Sequence, residues 1–361
     1  MDITEGEFDK IYFYRSSFLG IVVINDYNIL GNENSNLSIN GIDIHSNNFE
    51  KNFSIALNRL DQLYLSNNNF RQQLSFSPSR TGNSMVKPTS ISITGCSQGN
   101  VILEGLFCYL DVSDINFGTI FLKNSKLESM VFKDFQNKGS ITLTNIQPGH
   151  YLVIQNAVTG DLNFLNFDIN SFKEIVIADS KIDGINLNNY PEKVLSYNTN
   201  PKIGYGIKEK RKRIPNLKNV YNQLKNVARK KGDIDAANKY QSMEYGQLLF
   251  SKRFGFDSVI LFLNLASNNN GRSWFRGVLF TFMTSIIFFI FYLNALKVPL
   301  GDLVNFEDFV VFLSTFPKLE LEKYEESNNQ WNIRLVIWLS RIFIGYGVYQ
   351  TIAAFRKYGK G

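Results

Sequence analysis

Ile120-Phe121-Leu122-Lys123-Asn124-Ser125-Lys126-Leu127 is the stretch that decides the fold. Apolar side chains alternate at Ile120 and Leu122, a polar turn follows, and an apolar residue closes the unit at Leu127. Alternation of period two is a strand signal, and Asn, Ser, Asp and Gly turn a chain because they accept left-handed backbone or bond their own main chain. The same unit appears as Ile11-Tyr-Phe13-Tyr-Arg-Ser-Ser-Phe18, Leu63-Tyr-Leu65-Ser-Asn-Asn-Asn-Phe70 and Ile175-Val-Ile177-Ala-Asp-Ser-Lys-Ile182. Weaker copies begin at Ile91, Leu110 and Ile141, so strand starts recur about every ten residues or near multiples of that. A strand of about five residues cannot bury its apolar side alone. Stacked coils can, because they share one continuous core. Residues 5–200 are therefore expected to form a parallel β-helix of about 20 residues per coil, in a head domain spanning 1–200. Asparagines at equivalent corners are expected to stack and share hydrogen bonds. A β-sandwich is the alternative arrangement of the same strands.

Composition bounds the chemistry. In 361 residues, 44% are hydrophobic and 19% charged, which excludes wholesale disorder. Two cysteines, Cys96 and Cys108, make neither a disulfide-rich scaffold nor a four-thiolate metal site, and they read as buried apolar fillers. Of the two histidines, His45 reads as a surface residue and His150, after Pro148-Gly149, as part of a turn. A β-helix invites comparison with carbohydrate enzymes, which need carboxylates converging at fixed separations. Asp111, Asp114, Asp161, Asp168, Asp179 and Asp183 show no shared register and read as turn or corner residues. No catalytic, cofactor or metal site is expected, and the protein is not expected to be an enzyme.

The mean hydropathy of −0.13 conceals a split. Residues 1–200 carry a net charge of −6 and residues 201–361 a net charge of +12. Residues 201–253 hold 14 basic and 4 acidic side chains, among them Lys208, Lys210, Arg211, Lys212, Arg213, Lys252 and Arg253. Leu217, Val220, Tyr221, Leu224, Val227 and Ala228 recur there at helical spacing, then Lys230-Lys231-Gly232-Asp233 supplies a helix end and a helix start. The spacing predicts an α-helical hairpin. Tyr221-Asn-Gln-Leu224 and Gly232-Asp-Ile-Asp-Ala236-Ala237-Asn-Lys-Tyr240 resemble a single tetratricopeptide-type helix pair. Basic density beside a membrane span implies attraction to anionic lipid head groups, about 1 kcal/mol per residue. Nucleic acid is the rival partner and is not expected, because no aromatic-interleaved reading surface accompanies the charge. Residues 254–272 follow with a short apolar run that suits an amphipathic helix in the membrane interface.

Residues 273–361 hold two runs of membrane-spanning length. Gly277 to Leu296 is twenty residues without a charge, about 30 Å of helix. Trp274 and Arg276 anchor one end. Leu335 to Phe355 is the second run, closed by Arg356 and Lys357. It contains Arg341, which costs roughly 3 kcal/mol at the bilayer centre, a cost that its Leu, Ile, Val and Phe residues offset. Arg341 faces a water-filled path, pairs with an acid such as Glu320 or Glu326, or snorkels to the head groups. Gln350 and Thr351 are expected to bond between helices. Gly345 and Gly347 are two apart, so glycine at every fourth position is not implied. The intervening loop, 297–332, holds 3 basic and 7 acidic residues, so both termini are expected in the cytoplasm and the loop outside. Met1 to Lys10 is acidic and lacks the apolar core of a secretory signal, which keeps the head on the side where it is made.

Span, loop with the apolar segment Phe309 to Phe316, and span resemble the two-helix pore module of potassium-channel-like proteins, some of which carry pentapeptide-repeat β-helices before it. The resemblance implies an oligomeric pore. The filter is absent, because Phe316-Pro317-Lys318 stands where a glycine-containing run of carbonyl donors is needed. The tail from Gly345 to Gly359 also resembles the ending of bacterial membrane proteins with repeat-rich heads. The expected class is mixed: a parallel β-helix head, a helical hairpin neck and two transmembrane helices. The expected function is an inner-membrane sensor-effector, a homo-oligomer whose head recognises a protein or other ligand and whose membrane helices conduct or perturb, as a stress or phage-response effector would. A static tether or scaffold, and a membrane-tethered enzyme acting on glycan or lipid, are the alternatives.

Overall fold

The computed structural model describes residues 2–3, 7–25, 38–57, 60–77, 88–95, 98–195, 210–251, 255–296, 309–310, 312–313 and 330–358. The N-terminal part is a parallel β-solenoid built from an eight-stranded and an eleven-stranded sheet. Every strand pairing among the described residues is parallel, which excludes the β-sandwich. Ile11, Ile42, Leu63, Ile91, Leu110, Met130, Leu152 and Ile175 stand in one register column, one per coil. From Leu110 onward the step along this column stays within a few residues of the expected 20, whereas the steps from Ile11 to Ile42 and from Leu63 to Ile91 are longer. The other sheet stacks Val22, Phe53, Leu74, Val101, Ile120, Ile141, Leu162 and Ile185 against this column. Both columns are buried from Ile42 and Val22 onward, so alternate residues of short strands share one continuous core.

The corners hold as the asparagine content predicts. Asn67, Asn124, Asn145, Asn156 and Asn166 adopt positive φ, as do Asp114, Asp134 and Asp179, conformations that Asn and Asp tolerate better than other non-glycine residues. Asn145 Nδ2 donates to Asn124 Oδ1 at 3.0 Å, and Asn156 Nδ2 to Asp134 Oδ1 at 2.7 Å. Buried Asn47 and Asn68 link adjacent coils: Asn47 N–H donates to Asn68 Oδ1 at 3.0 Å, and Asn68 Nδ2 to the Ile44 carbonyl at 2.6 Å. Phe18, Phe49 and Phe70 stack with centroids 4.8 and 5.1 Å apart, close to the inter-strand spacing. Cys108 is buried in the core as a small apolar residue, and burial pushes its thiol up to about 12. Cys96 lies outside the described residues.

Glycines form a further column that the strand pattern did not reveal. A Cβ at Gly139 would lie 2.0 Å from the Gly118 carbonyl oxygen, one at Gly160 2.3 Å from that of Asn137, and one at Gly184 2.1 Å from that of Gly160. Here successive coils approach backbone to backbone, which only glycine permits.

Five helices are described: α1 (Lys210–Lys230), α2 (Ile234–Ser251), α3 (Phe256–Asn268), α4 (Trp274–Ala295) and α5 (Gln330–Tyr358). The turn between α1 and α2 forms as its residues dictate. Gly232 takes φ 77°, the Asp233 amide donates to the Ala228 carbonyl, and Asp233 Oδ1 accepts from the Ala236 amide at 2.9 Å. The chain divides into two compact units, Met1–Ala237 and Asn238–Gly361. Within the first, α1 closes the last coil. Gln223 accepts from the Ile182 amide at 2.7 Å and donates to the Ser180 carbonyl at 3.0 Å, and Lys231 donates to the Leu187 carbonyl. Val220, Leu224, Val227 and Ala228, the stripe expected to serve a hairpin neck, are buried. A solenoid needs such a cap because its terminal coil otherwise exposes its core.

Candidate functional site in the helical unit

Both α4 and α5 contain stretches long and apolar enough to cross a membrane, Trp274–Ala295 and Trp331–Arg356. They begin ahead of the expected runs. Ser273 caps α4, its hydroxyl accepting from the Arg276 amide at 3.3 Å, and α5 begins at Gln330. The helices run antiparallel, and two reciprocal contacts fix their crossing. A Cβ on Gly277 would lie 2.6 Å from Thr351 Oγ1, and one on Gly347 would lie 2.4 Å from Thr281 Oγ1. Each threonine donates back to the glycine four residues earlier on its own helix, Thr281 to Gly277 at 2.8 Å and Thr351 to Gly347 at 2.9 Å. These are small residues at every fourth position, the pattern that lets apolar helices approach closely in lipid. Thr351 thus bonds within its helix, and its contribution to the partner is contact with Gly277. The expectation drawn from Gly345 and Gly347 missed this face because it counted glycines alone, whereas Gly347 pairs with Thr351.

Gln350 does bond between helices. Its Nε2 donates to Asn264 Oδ1 at 2.9 Å, and its carbonyl and Oε1 both accept from Asn268 Nδ2. Tyr346 OH donates to the same Asn264 Oδ1 at 2.7 Å, while Asn268 Oδ1 accepts from the Gly271 amide at 2.7 Å. Asn264 and Asn268 belong to α3, whose polarity is inverted. Ser258, Ser267 and Asn268 are buried, while Val259, Ile260 and Phe262 are exposed and Phe256 is 92% exposed. The short apolar run therefore has its polar side chains turned into the helical unit and its apolar ones turned out. In water such a helix would carry a large unfavourable apolar face; against acyl chains the same face is favourable.

Arg341 lies toward the other end of the hairpin. Its Nη1 donates to the Phe312 carbonyl at 3.3 Å, and its guanidinium lies 5.8 Å from the Phe312 ring centre. Phe312 belongs to the apolar loop segment, and with Phe289, Leu293 and Ile344 it forms a buried cluster flanked by Phe309 and Leu313. The described residues of this segment thus pack against both helices, and Phe312 supplies the carbonyl that Arg341 engages. Glu320 and Glu326, the expected acidic partners, lie outside the described residues. At the opposite end Trp274 stacks on Phe355 with centroids 4.9 Å apart, and Arg276 and Arg356 are exposed. The anchors expected at one membrane face therefore share one end of the hairpin. Lys208, Lys252 and Arg253 lie outside the described residues, and Lys210 to Arg213 open α1.

Among the described residues of the head, the aspartates singled out in the sequence each have a local role. Asp114 and Asp179 are corner residues, Asp168 accepts from the Asn170 amide at 3.0 Å, and Asp183 pairs with Lys181 at 3.7 Å. Among the described residues no group of three or more His, Cys, Asp or Glu side chains is placed to hold a metal. His150, read as a turn residue, sits in the strand Gln147–Val158, with Nδ1 toward Glu128 and Nε2 2.8 Å from Lys173 Nζ. These three side chains come from successive coils and brace them on the outer surface. His45 is half-exposed and stacks on Tyr14 with centroids 5.2 Å apart.

Comparison with protein-family models, with curated proteins and with solved structures finds no match. A β-solenoid head joined in one chain to two membrane-capable helices defines a membrane protein with a head domain.

The polar knot on α3 and α5 gives a direct test of how the helical unit is held. Gln350→Leu is expected to lower unfolding stability in detergent by about 2 kcal/mol, because half-buried Asn264 loses the Nε2 donor and buried Asn268 loses the Oε1 acceptor. Gln350→Glu is expected to keep the acceptor for Asn268 and lose the donor to Asn264. Equal thermal midpoints for Gln350→Leu and the parent chain would show that the cluster contributes nothing.

Proposed function

We propose that this protein is a membrane sensor-effector in which the solenoid head recognises a partner and the two-helix module, assembled as a homo-oligomer, conducts ions or perturbs the bilayer. The observation that carries the reading is Arg341: a permanently charged side chain lies within a membrane-capable helix and is held by the carbonyl of a loop residue folded back onto the hairpin. A plain anchor has no use for a charge at that depth, and an ionisable group inside a membrane segment marks a functional site by default. Two helices enclose no pore, so conduction requires several copies. The basic flanks outside the hairpin and the acidic loop between its helices favour cytoplasmic termini, and a bacterial inner membrane is the setting we assign. The layout shared with two-helix pore modules supports the same reading.

The test is membrane potential in bacteria on induced expression of the full chain, of Arg341→Ala and of Arg341→Lys. The full chain is expected to depolarise the cells, Arg341→Ala to lose most of that effect at equal membrane abundance, and Arg341→Lys to retain part of it. An unchanged potential for all three would favour a static tether. In that case replacing the hairpin with an unrelated one would leave the head's activity intact.

A further inference from the structure

Between α3 and α4 lies an open cleft of about 490 Å³. Phe262 and Leu265 wall it on one side, and Leu279, Phe280 and Met283 on the other, with Arg276 at one end. Arg276, Leu279, Phe280 and Met283 follow the three-four spacing of one helix face, so the cleft runs along α4 for about two turns, roughly 10 Å. Among the described residues, Arg276 is the only charged one lining it. It lies in the first turn of α4, two residues from Trp274, whose ring marks the level of the head groups. The walls are themselves unsatisfied in water: Phe262 and Met283 are 59% and 51% exposed.

The occupant of such a cleft must be long and apolar and must end in an anion at head-group level. We propose that the cleft binds one anionic phospholipid, its acyl chain between α3 and α4 and its phosphate against Arg276. The inference rests on reading α4 as a membrane span. Two features select this occupant over a second copy of the chain. The cleft is continuous with the outward apolar faces of α3 and α4, which the bilayer covers, and its single charge complements a lipid phosphate. The lipid would also wedge α3 against α4 and so hold the helix that carries Asn264 and Asn268 to α5. Head-group binding thereby reaches the polar knot around Gln350 through one packed element.

Native mass spectrometry of the full chain, purified in detergent and stripped of lipid, tests this. Phosphatidylglycerol, phosphatidylethanolamine of the same chain length and inorganic phosphate serve as probes. One phosphatidylglycerol per chain is expected to bind more tightly than phosphatidylethanolamine, with inorganic phosphate neither binding nor competing. Arg276→Gln is expected to weaken phosphatidylglycerol about fivefold, Leu279→Trp to abolish the bound lipid by filling the cleft, and Arg334→Gln, at the other end of the hairpin, to change nothing. Thermal midpoints of the variants guard against misfolding. Equal losses in Arg276→Gln and Arg334→Gln would overturn the site in favour of diffuse attraction. So would equal binding of both lipids, or unaltered binding in the Leu279→Trp chain, which would leave an unspecific lipid shell. Alkaline carbonate extraction separates this failure from that of the span. A chain released from membranes loses both readings, whereas a chain that stays but shows any of the overturning patterns loses the lipid site alone.

Discussion

Replacing Gly347 with leucine is expected to take the membrane hairpin apart. Even a methyl group there would lie 2.4 Å from Thr281 Oγ1 and 3.2 Å from Thr281 Cα, so a leucine cannot enter without separating the helices. Overpacking of this kind costs about 1–3 kcal/mol in a soluble core. Here it also dismantles the reciprocal contact of Gly277 with Thr351, and the expected loss is about 3 kcal/mol or more. Denaturation by sodium dodecyl sulfate, followed by circular dichroism in mild detergent, reads the effect as a lower unfolding midpoint. Gly347→Ala is expected to cost less, and adding Thr281→Ala to it to restore part of the loss, because that removes the oxygen the new methyl meets. A Gly347→Leu chain with the parent midpoint would show that the crossing does not hold the hairpin.

Gly160→Val is expected to have a large effect in the head. Gly160 sits at φ 51°, where a β-branched residue is strained by about 1–3 kcal/mol. Its Cβ would also lie 2.3 Å from the Asn137 carbonyl oxygen, a backbone atom that cannot swing aside. The two terms together reach about 4 kcal/mol, comparable with the whole stability of a marginal domain. Coils of a solenoid interact only with their neighbours, so the damage should centre on the coils holding Asn137, Gly160 and Gly184. Hydrogen exchange of the full chain would locate it. Gly20, with open space where its Cβ would point, is the control: Gly20→Ala should shift stability by less than about 0.5 kcal/mol. Uniform protection across the Gly160→Val head would refute the glycine column as a structural device.

The contrast between these two glycines shows what could be read in advance. The period-two pattern around Ile91, Ile120, Ile141 and Ile175 located the strands because burial acts on every second residue, and side-chain identity alone reports that. Asparagine corners were legible for a similar reason, since few residues accept positive φ. The column of Gly118, Gly139, Gly160 and Gly184 was present in the sequence at near-coil spacing, but a backbone approach leaves no hydrophobic signal. Helix α1 was legible as a helix, and its apolar stripe was legible as a buried face. Which surface buries it depends on contacts tens of residues away, such as Gln223 with Ile182. In the helical unit, length and apolarity found α4 and α5. Gln350 was legible as a residue that bonds between helices, but its partners Asn264 and Asn268 and the neighbouring Tyr346 escaped, because they are scattered over more than eighty residues and each alone is an ordinary polar side chain. The bond from Arg341 to Phe312 escaped for a further reason: a backbone carbonyl carries no mark in a sequence.

The cap that α1 places on the last coil bears on aggregation. Parallel coils with in-register asparagine and phenylalanine stacks share the geometry by which identical chains template one another into fibres. A bare final coil would offer its unpaired backbone groups and apolar core to the next molecule. With Gln223 taking up the amide of Ile182 and the carbonyl of Ser180, and with Val220, Leu224 and Val227 buried, that end is expected not to template a second chain. The helix therefore terminates the stack of coils and is expected to keep two heads from joining through their C-terminal coils.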